Sequence, residues 1–297
     1  MQPVRSHRRY AYSPITRRSD YSWPRSRRLA IYIGFNVEHF DFGGGLGACL
    51  GPKCPEPDVL NYSWRDYGNR VGVWRCLDVF EKLGIRVAAL VNTSLYDYCP
   101  EVVDAFVKRG DELVGHGHTN SVRQGELLEA EERTLLQYCR ERIRKESGVE
   151  VQGWLSPWIS ESAVTPDLLV ETGYRYTLNW CHDDQPTQMS TRAGKLWAIP
   201  YPQELNDIPA IVARQMHAPD FADMIVDNFD EMLDQSHAQP LVMGIALHPY
   251  IVGQPYRLRH LRRALEHMHR EKRVWWTTPS AICEWAEKSA TESSFFS

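Results

Sequence analysis

The order of elements constrains this chain more than any single residue does. Short apolar runs alternate with helical stripes about seven times along 297 residues. The runs lie at 29–35, 85–91, 113–114, 152–155, 174–180, 196–199, 241–247 and 274–276. Apolar periodicity between them predicts helices over 73–83, 100–109, 127–147, 165–173, 220–235, 257–270 and 279–288. Strand–helix alternation builds a parallel sheet, and this many units predict a closed or nearly closed α/β barrel. The stretch 43–69, with Gly43-Gly44-Gly45 and three prolines, is predicted to be a long irregular loop.

Composition narrows the partners. A formal net charge of −4 gives no pull toward nucleic acid, and no apolar run reaches membrane-span length, so neither nucleic acid nor membrane is expected as a partner. Seven scattered cysteines without a CxxC pair predict reduced thiols and a cytoplasmic address. Residues 1–28 hold eight arginines, but no apolar segment of a secretory signal. Pro3, Pro14 and Pro24 break any helix there, while Tyr10, Tyr12, Tyr21 and Trp23 favour burial. The expected organisation is an extended arm over 1–28, one catalytic barrel over 29–288 and a flexible tail over 289–297. The arm is expected to dock in an acidic groove between subunits.

Polar side chains recur where predicted strands end. They are Asn36, Glu38 and His39, then His116, His118 and Asn120, then Asp183 and Asp184, then Asn206 and Asp207, then His248. The C-terminal mouth of a parallel barrel is where ligands and catalytic groups collect, so these clusters predict one pocket. His116 and His118 stand two apart, which on a strand gives one side. Glu38 with His116 offers a carboxylate and an imidazole for general acid–base work, and His248 is expected to protonate a leaving nitrogen or stabilise an oxyanion. Asp183 or Asp184 is expected to orient an imidazole. Trp154 and Trp158, core by default, also suit a flat cyclic imide as an aromatic wall. The arginines of 257–270 read as a solvated face.

The pattern resembles the NodB-homology polysaccharide deacetylases (carbohydrate esterase family four), and within them the allantoinase-like and cyclic-imide hydrolases. The carriers are Trp23-Pro24, Asn36-Val37-Glu38, His116-Gly117-His118-Thr119-Asn120, Trp154-Leu155-Ser156-Pro157, Asp183-Asp184-Gln185-Pro186, Glu204-Leu205-Asn206-Asp207 with Tyr201, and His248-Pro249 with Gly253-Gln254-Pro255. They span roughly residues 10 to 288. The resemblance implies a distorted (β/α)7 barrel and a homo-oligomer, dimer or tetramer. Sugar deacetylases of this family place two aspartates where this chain has Asn36 and Glu38. An amide takes no proton near neutral pH, so Asn36 is not a base. Their His-x-x-x-His motif is here His116 with Asn120, and Ser156 stands where they carry arginine.

The resemblance implies a divalent metal, zinc, on Glu38, His116 and Asn120, with His118 as an alternative ligand. An amide oxygen is a poor zinc ligand, and metal-independent catalysis is the alternative. The expected function is hydrolysis of non-peptide C–N bonds in small cyclic amides, imides or ureides. Asn36, His118, Trp154, Asp183 and Asp184 are expected to bind substrate or support the site. The competing readings are amino-sugar N-deacetylation and a non-catalytic binding protein on a decayed barrel.

Overall fold

The computed structural model describes residues 6–292. Strand β1 (Leu29–Val37) is the axis of the sheet, with all nine residues buried, as a parallel strand covered on both faces should be. It pairs in parallel with β2 (Ala88–Val91) and with β8 (Leu241–Leu247). The short β9 (Val274–Trp276) joins its first residues. Beyond β2 the parallel order continues through β3 (Glu112–Gly115), β4 (Gly153–Trp154), β5 (Tyr176–Thr177) and β7 (Gly194–Ala198). Strand β6 (Thr187–Thr191) folds back antiparallel on β7, a hairpin that the apolar runs do not announce. Seven parallel strands thus form the wall of a distorted (β/α)7 barrel, the fold expected from the sequence.

The wall meets itself along a seam between the chain after β7 and strand β8. Asn206 bridges Ala246, whose N–H donates to the Leu205 carbonyl at 2.9 Å. Lower on β8, the Val242 N–H donates to the Asp184 carbonyl at 2.8 Å.

Ten helices are seen among the described residues: α1 (Val59–Tyr67), α2 (Val73–Lys82), α3 (Leu95–Tyr98), α4 (Pro100–Arg109), α5 (Glu129–Ser147), α6 (Thr165–Glu171), α7 (Ala218–Gln235), α8 (Pro249–Val252), α9 (Pro255–Arg270) and α10 (Pro279–Glu292). The local signals match their ends. Pro100 opens α4 and left-handed Gly110 closes it; Glu129, Glu131 and Glu132 begin α5, and Arg144 and Lys145 end it. The stretch 43–69 corrects the loop expectation, because 59–67 is α1 and 68–72 continues it as a π-helical turn. Its signal was a capping aspartate: Asp58 accepts the N–H of Asn61 and starts the helix.

Alternation along the strands sorts the core. Leu29, Ile31, Ile33, Phe35 and Val37 face outward into one cluster with Val79, Phe80, Phe106, Leu136, Ile225 and Leu265 of the helices. Ala30, Tyr32, Leu90, Val114, Tyr176 and Ala246 face inward into a second cluster. Helix α10 stops the lower end of that interior with Ile282, Cys283 and Ala286, next to Tyr21 and Trp23.

Residues 6–28 lie on this chain's own barrel. Trp23 is 1% exposed and donates from Nε1 to the Leu241 carbonyl at 3.0 Å. Arg9 forks onto Asp167 at 2.6 and 2.7 Å, and Arg18 onto Asp183 at 2.7 and 2.5 Å. Those two arginines pair with carboxylates of the same subunit. Tyr12 departs from the expected burial, at 89% exposed. Residues 1–5 of the expected arm and 293–297 of the expected tail lie outside the described residues.

Candidate active site

The inward register runs on past the strand ends. Asn36 lies near the end of β1, and Glu38 stands two residues on. His116 follows β3 at the same two-residue step from Val114, and His248 directly follows β8, two beyond Ala246. Period-two geometry thus delivers four polar side chains to one mouth. They line a cavity of about 140 Å³ with Asn120, Tyr201, Gln203, Asn206 and Tyr250. Its apolar walls include Leu155, Trp158, Ile159 and Pro209.

Glu38 is the centre of the cluster and is 4% exposed. Its Oε1 accepts from Asn120 Nδ2 at 2.5 Å, and its Oε2 accepts from the Tyr250 hydroxyl at 2.7 Å. The Nε2 atoms of His116 and His248 stand 3.6 and 3.5 Å from Oε1. Burial pushes the Glu38 carboxyl up, but the charge of His248, with its hydrogen bond, leads the groups that outweigh it and hold it at about 2.

His248 is fixed from behind by Asp207. The two Asp207 oxygens accept the His248 backbone N–H at 2.8 Å and Nδ1–H at 2.6 Å. Burial lowers the His248 imidazole, but Asp207 and Glu38 together carry it up to about 10. Burial also raises the Asp207 carboxyl. Both of its oxygens accept from donors, so we place the shared proton on the imidazole.

His116 is oriented differently. Its Nδ1 meets the Leu155 carbonyl at 2.7 Å, and a carbonyl only accepts, so Nδ1 carries the hydrogen. The Nε2 lone pair then faces the cluster, buried and without a partner. Asn36 gives its amide hydrogens to the Tyr201 hydroxyl at 2.9 Å and the Leu247 carbonyl at 3.2 Å. It braces β1 against β8 and takes no proton.

The turn carrying His248 and Tyr250 packs against the π-helical turn at 68–72. A Cβ at Gly72 would collide with the Pro249 carbonyl, so glycine is what allows this approach.

Four expected residues lie elsewhere. Gly117 is left-handed (φ 74°) and breaks the strand, so His118 leaves the inward register. It is exposed and bonds Thr93 Oγ1 through Nδ1 at 2.9 Å. Trp154 falls on the outward face of β4, fully buried, with Nε1 donating to Gln124 and Ser156. Of the two tryptophans only Trp158 lines the cavity, beside Phe40, Tyr201 and Tyr250. Asp183 is held by Arg18, and Asp184 lies beside the start of β8, away from His248 at its end. The carboxylate that orients an imidazole is Asp207, and the hydroxyl that fixes Glu38 belongs to Tyr250. Asp207 belongs to a strand-end cluster flagged in the sequence and Tyr250 stands two residues past His248, but nothing local marks their roles.

A zinc site on Glu38, His116 and Asn120 fits poorly. Asn120 turns its NH2, not its oxygen, toward Glu38, and both Glu38 oxygens already accept hydrogen bonds. Among the described residues no group of three or more His, Cys, Asp or Glu side chains is arranged to hold a metal. The donor set is one imidazole, one engaged carboxylate and one amide, a weak set for zinc.

No protein-family model matches the chain. Two curated proteins do, along nearly their whole length. One, from Schizosaccharomyces pombe, is named for polysaccharide deacetylation; it is 25% identical over 90% of this chain and 92% of its own. The other is a peptidoglycan deacetylase of Helicobacter pylori, 22% identical over 86% of this chain and 95% of its own. The chain is similar to proteins named as polysaccharide and peptidoglycan deacetylases. The NodB-type fold also recurs in solved structures. A Pseudomonas aeruginosa protein named for polysaccharide deacetylation has a TM-score of 0.82 at 23% identity, covering 93% of this chain and 95% of its own. An allantoinase also scores 0.82, at 24% identity, covering 95% of each chain.

Proposed function

We propose that the chain hydrolyses non-peptide C–N bonds in small cyclic amides, imides or ureides. The observation that carries this reading is an ionised Glu38 set between a free His116 Nε2 and a proton-bearing His248, in a cavity of about 140 Å³. That volume lies below the ~300–1,000 Å³ of drug-sized ligand sites and suits a small ring.

In this mechanism Glu38 holds the attacking water by its negative charge, and His116 Nε2 takes the water proton. The hydroxide adds to the ring carbonyl. The C–N bond breaks, and His248 gives its Nε2 proton to the departing nitrogen. The product is an open chain with a carboxylate at one end. Asp207 keeps His248 charged before transfer, and Tyr250 and Asn120 keep Glu38 in place.

The same groups serve a second reading, N-deacetylation of an amino sugar, which the names of both curated relatives favour. Either reaction is hydrolysis of a non-peptide C–N bond. The proposal includes a cytoplasmic homo-oligomer, dimer or tetramer, and catalysis by protein groups without zinc. No helix among the described residues is long and apolar enough to cross a membrane.

The test is turnover of allantoin, hydantoin, succinimide, glutarimide and an N-acetylated sugar oligomer, with metal analysis and light scattering of the same sample. Ring opening without oligomer deacetylation is the expected result. Deacetylation alone would replace the reading by the second one. Loss of activity on chelation, restored by zinc, would overturn the metal-free mechanism.

A further inference from the structure

The cavity contains hydrogen-bonding capacity that the proposed chemistry leaves unused. Glu38 is ionised, so only the NH2 of Asn120 can face it. The Asn120 Oδ1 atom therefore turns away, and it is buried with no partner. Gln203 lines the same cavity from the chain between β7 and the seam, and its Nε2 is also buried with no partner. The rest of Asn120 is committed: its N–H donates to the His39 carbonyl at 2.9 Å, and its carbonyl accepts Trp158 Nε1 at 2.9 Å. Its orientation is thus fixed from three sides. Buried polar atoms are nearly always paired, so a free acceptor and a free donor in one pocket point to a ligand that completes both.

The wall beside them is held in an unusual shape. Trp158 and Ile159 both have positive φ, 61° and 52°. Such values are strained for a tryptophan and more so for a β-branched isoleucine, and strain of this kind gathers at ligand sites.

A ring bearing –CO–NH–CO– is the complement of this set. One carbonyl is attacked. The N–H donates to Asn120 Oδ1, and the second carbonyl accepts from Gln203 Nε2. We propose that Asn120 and Gln203 select rings with a free N–H between two carbonyls, cyclic imides and ureides, over lactams and N-substituted rings. This inference rests on the hydrolase reading above. A simple lactam or an N-acetyl group has no second carbonyl and leaves Gln203 unpaired. An N-methyl group sets carbon against Oδ1 and leaves that acceptor unpaired.

The experiment compares succinimide with N-methylsuccinimide, and hydantoin with its N3-methyl derivative, on the purified full chain. Wild type is expected to favour the unsubstituted ring by at least ~10²-fold in kcat/KM, since a site built around a hydrogen bond rejects an analogue lacking it. Gln203→Leu is expected to raise KM for succinimide by ~10-fold while kcat changes far less, the signature of lost substrate binding. Equal turnover of the N-methylated rings would overturn the proposal while leaving ring hydrolysis in place. An unchanged KM in a folded Gln203→Leu protein would remove Gln203 from recognition. Should that variant not fold, the wild-type comparison decides alone. No turnover of any ring would overturn the hydrolase reading and this inference together.

Discussion

At the scale of single residues the site is an electrostatic balance. Glu38 is buried, yet the charged His248 imidazole keeps it ionised, so removing its charge should cost activity more than structure. Glu38→Gln is expected to fold and to lose at least ~10²-fold in kcat, the usual scale for acid–base groups; activity near wild type would remove Glu38 from the mechanism. Asp207→Asn should act through His248. The alkaline limb of the rate profile is expected well above the ordinary imidazole range in wild type, since His248 is raised to about 10. It should move down in the variant, and an unmoved limb would show that Asp207 does not hold the proton on His248. The same shifts bear on stability. His248 is raised, so its contribution is complete below the unfolded value of 6.5 and is lost as pH rises through about 10. Glu38 is lowered, so its contribution is present above 4.5 and is lost as pH falls toward 2. Thermal melts over this range should fall at both ends, and Glu38→Gln should flatten the acid side.

At the scale of elements, two contacts invite direct tests. Gly72→Ala places a methyl against the Pro249 carbonyl and should shift the turn that carries His248 and Tyr250. Activity is expected to fall on the order of 10²-fold with little change in helix content, since a displacement of about 1 Å suffices for that loss; unchanged kcat would mean that the turn adapts. Trp23→Ala opens the lower plug and breaks the bond to the Leu241 carbonyl. Urea denaturation is expected to show a loss of ~3–5 kcal/mol, the range for large aromatic truncations in a core. How far the elements were legible follows from the physics of each. The barrel was readable because β1 and β8 are apolar on both faces and Gly and Pro mark helix ends. Glu38, His116 and His248 were readable because each follows a strand in the inward register. His118 was misplaced because one left-handed glycine cancels the alternation that seemed to pair it with His116. Trp154 was misplaced because β4 is two residues long and gives no pattern from which to read its facing. Asp207 and Tyr250 act across the barrel, on His248 and Glu38, and contacts so distant in sequence leave no local pattern.

At the scale of the whole molecule, the barrel differs from a uniform ring in where it closes. Strand β8 has a full register against β1, seven residue pairs long, but on its other edge it meets the chain through the Val242–Asp184 and Ala246–Leu205 bonds. Asp207 sits one residue beyond the Asn206 bridge, and His248 is the first residue after β8. Their hydrogen bonds therefore act as a clasp across the closure as well as a catalytic pair. Any breathing of the wall that parts these edges also separates the imidazole from its carboxylate, long before the cores on either face are exposed. Function should then fail at a lower denaturant concentration than structure. In urea the midpoint for activity is expected below the midpoint for tryptophan fluorescence, and the amides of Ala246 and His248 should exchange hydrogen faster than those of β1; coincident midpoints would show that the clasp opens only when the whole barrel does.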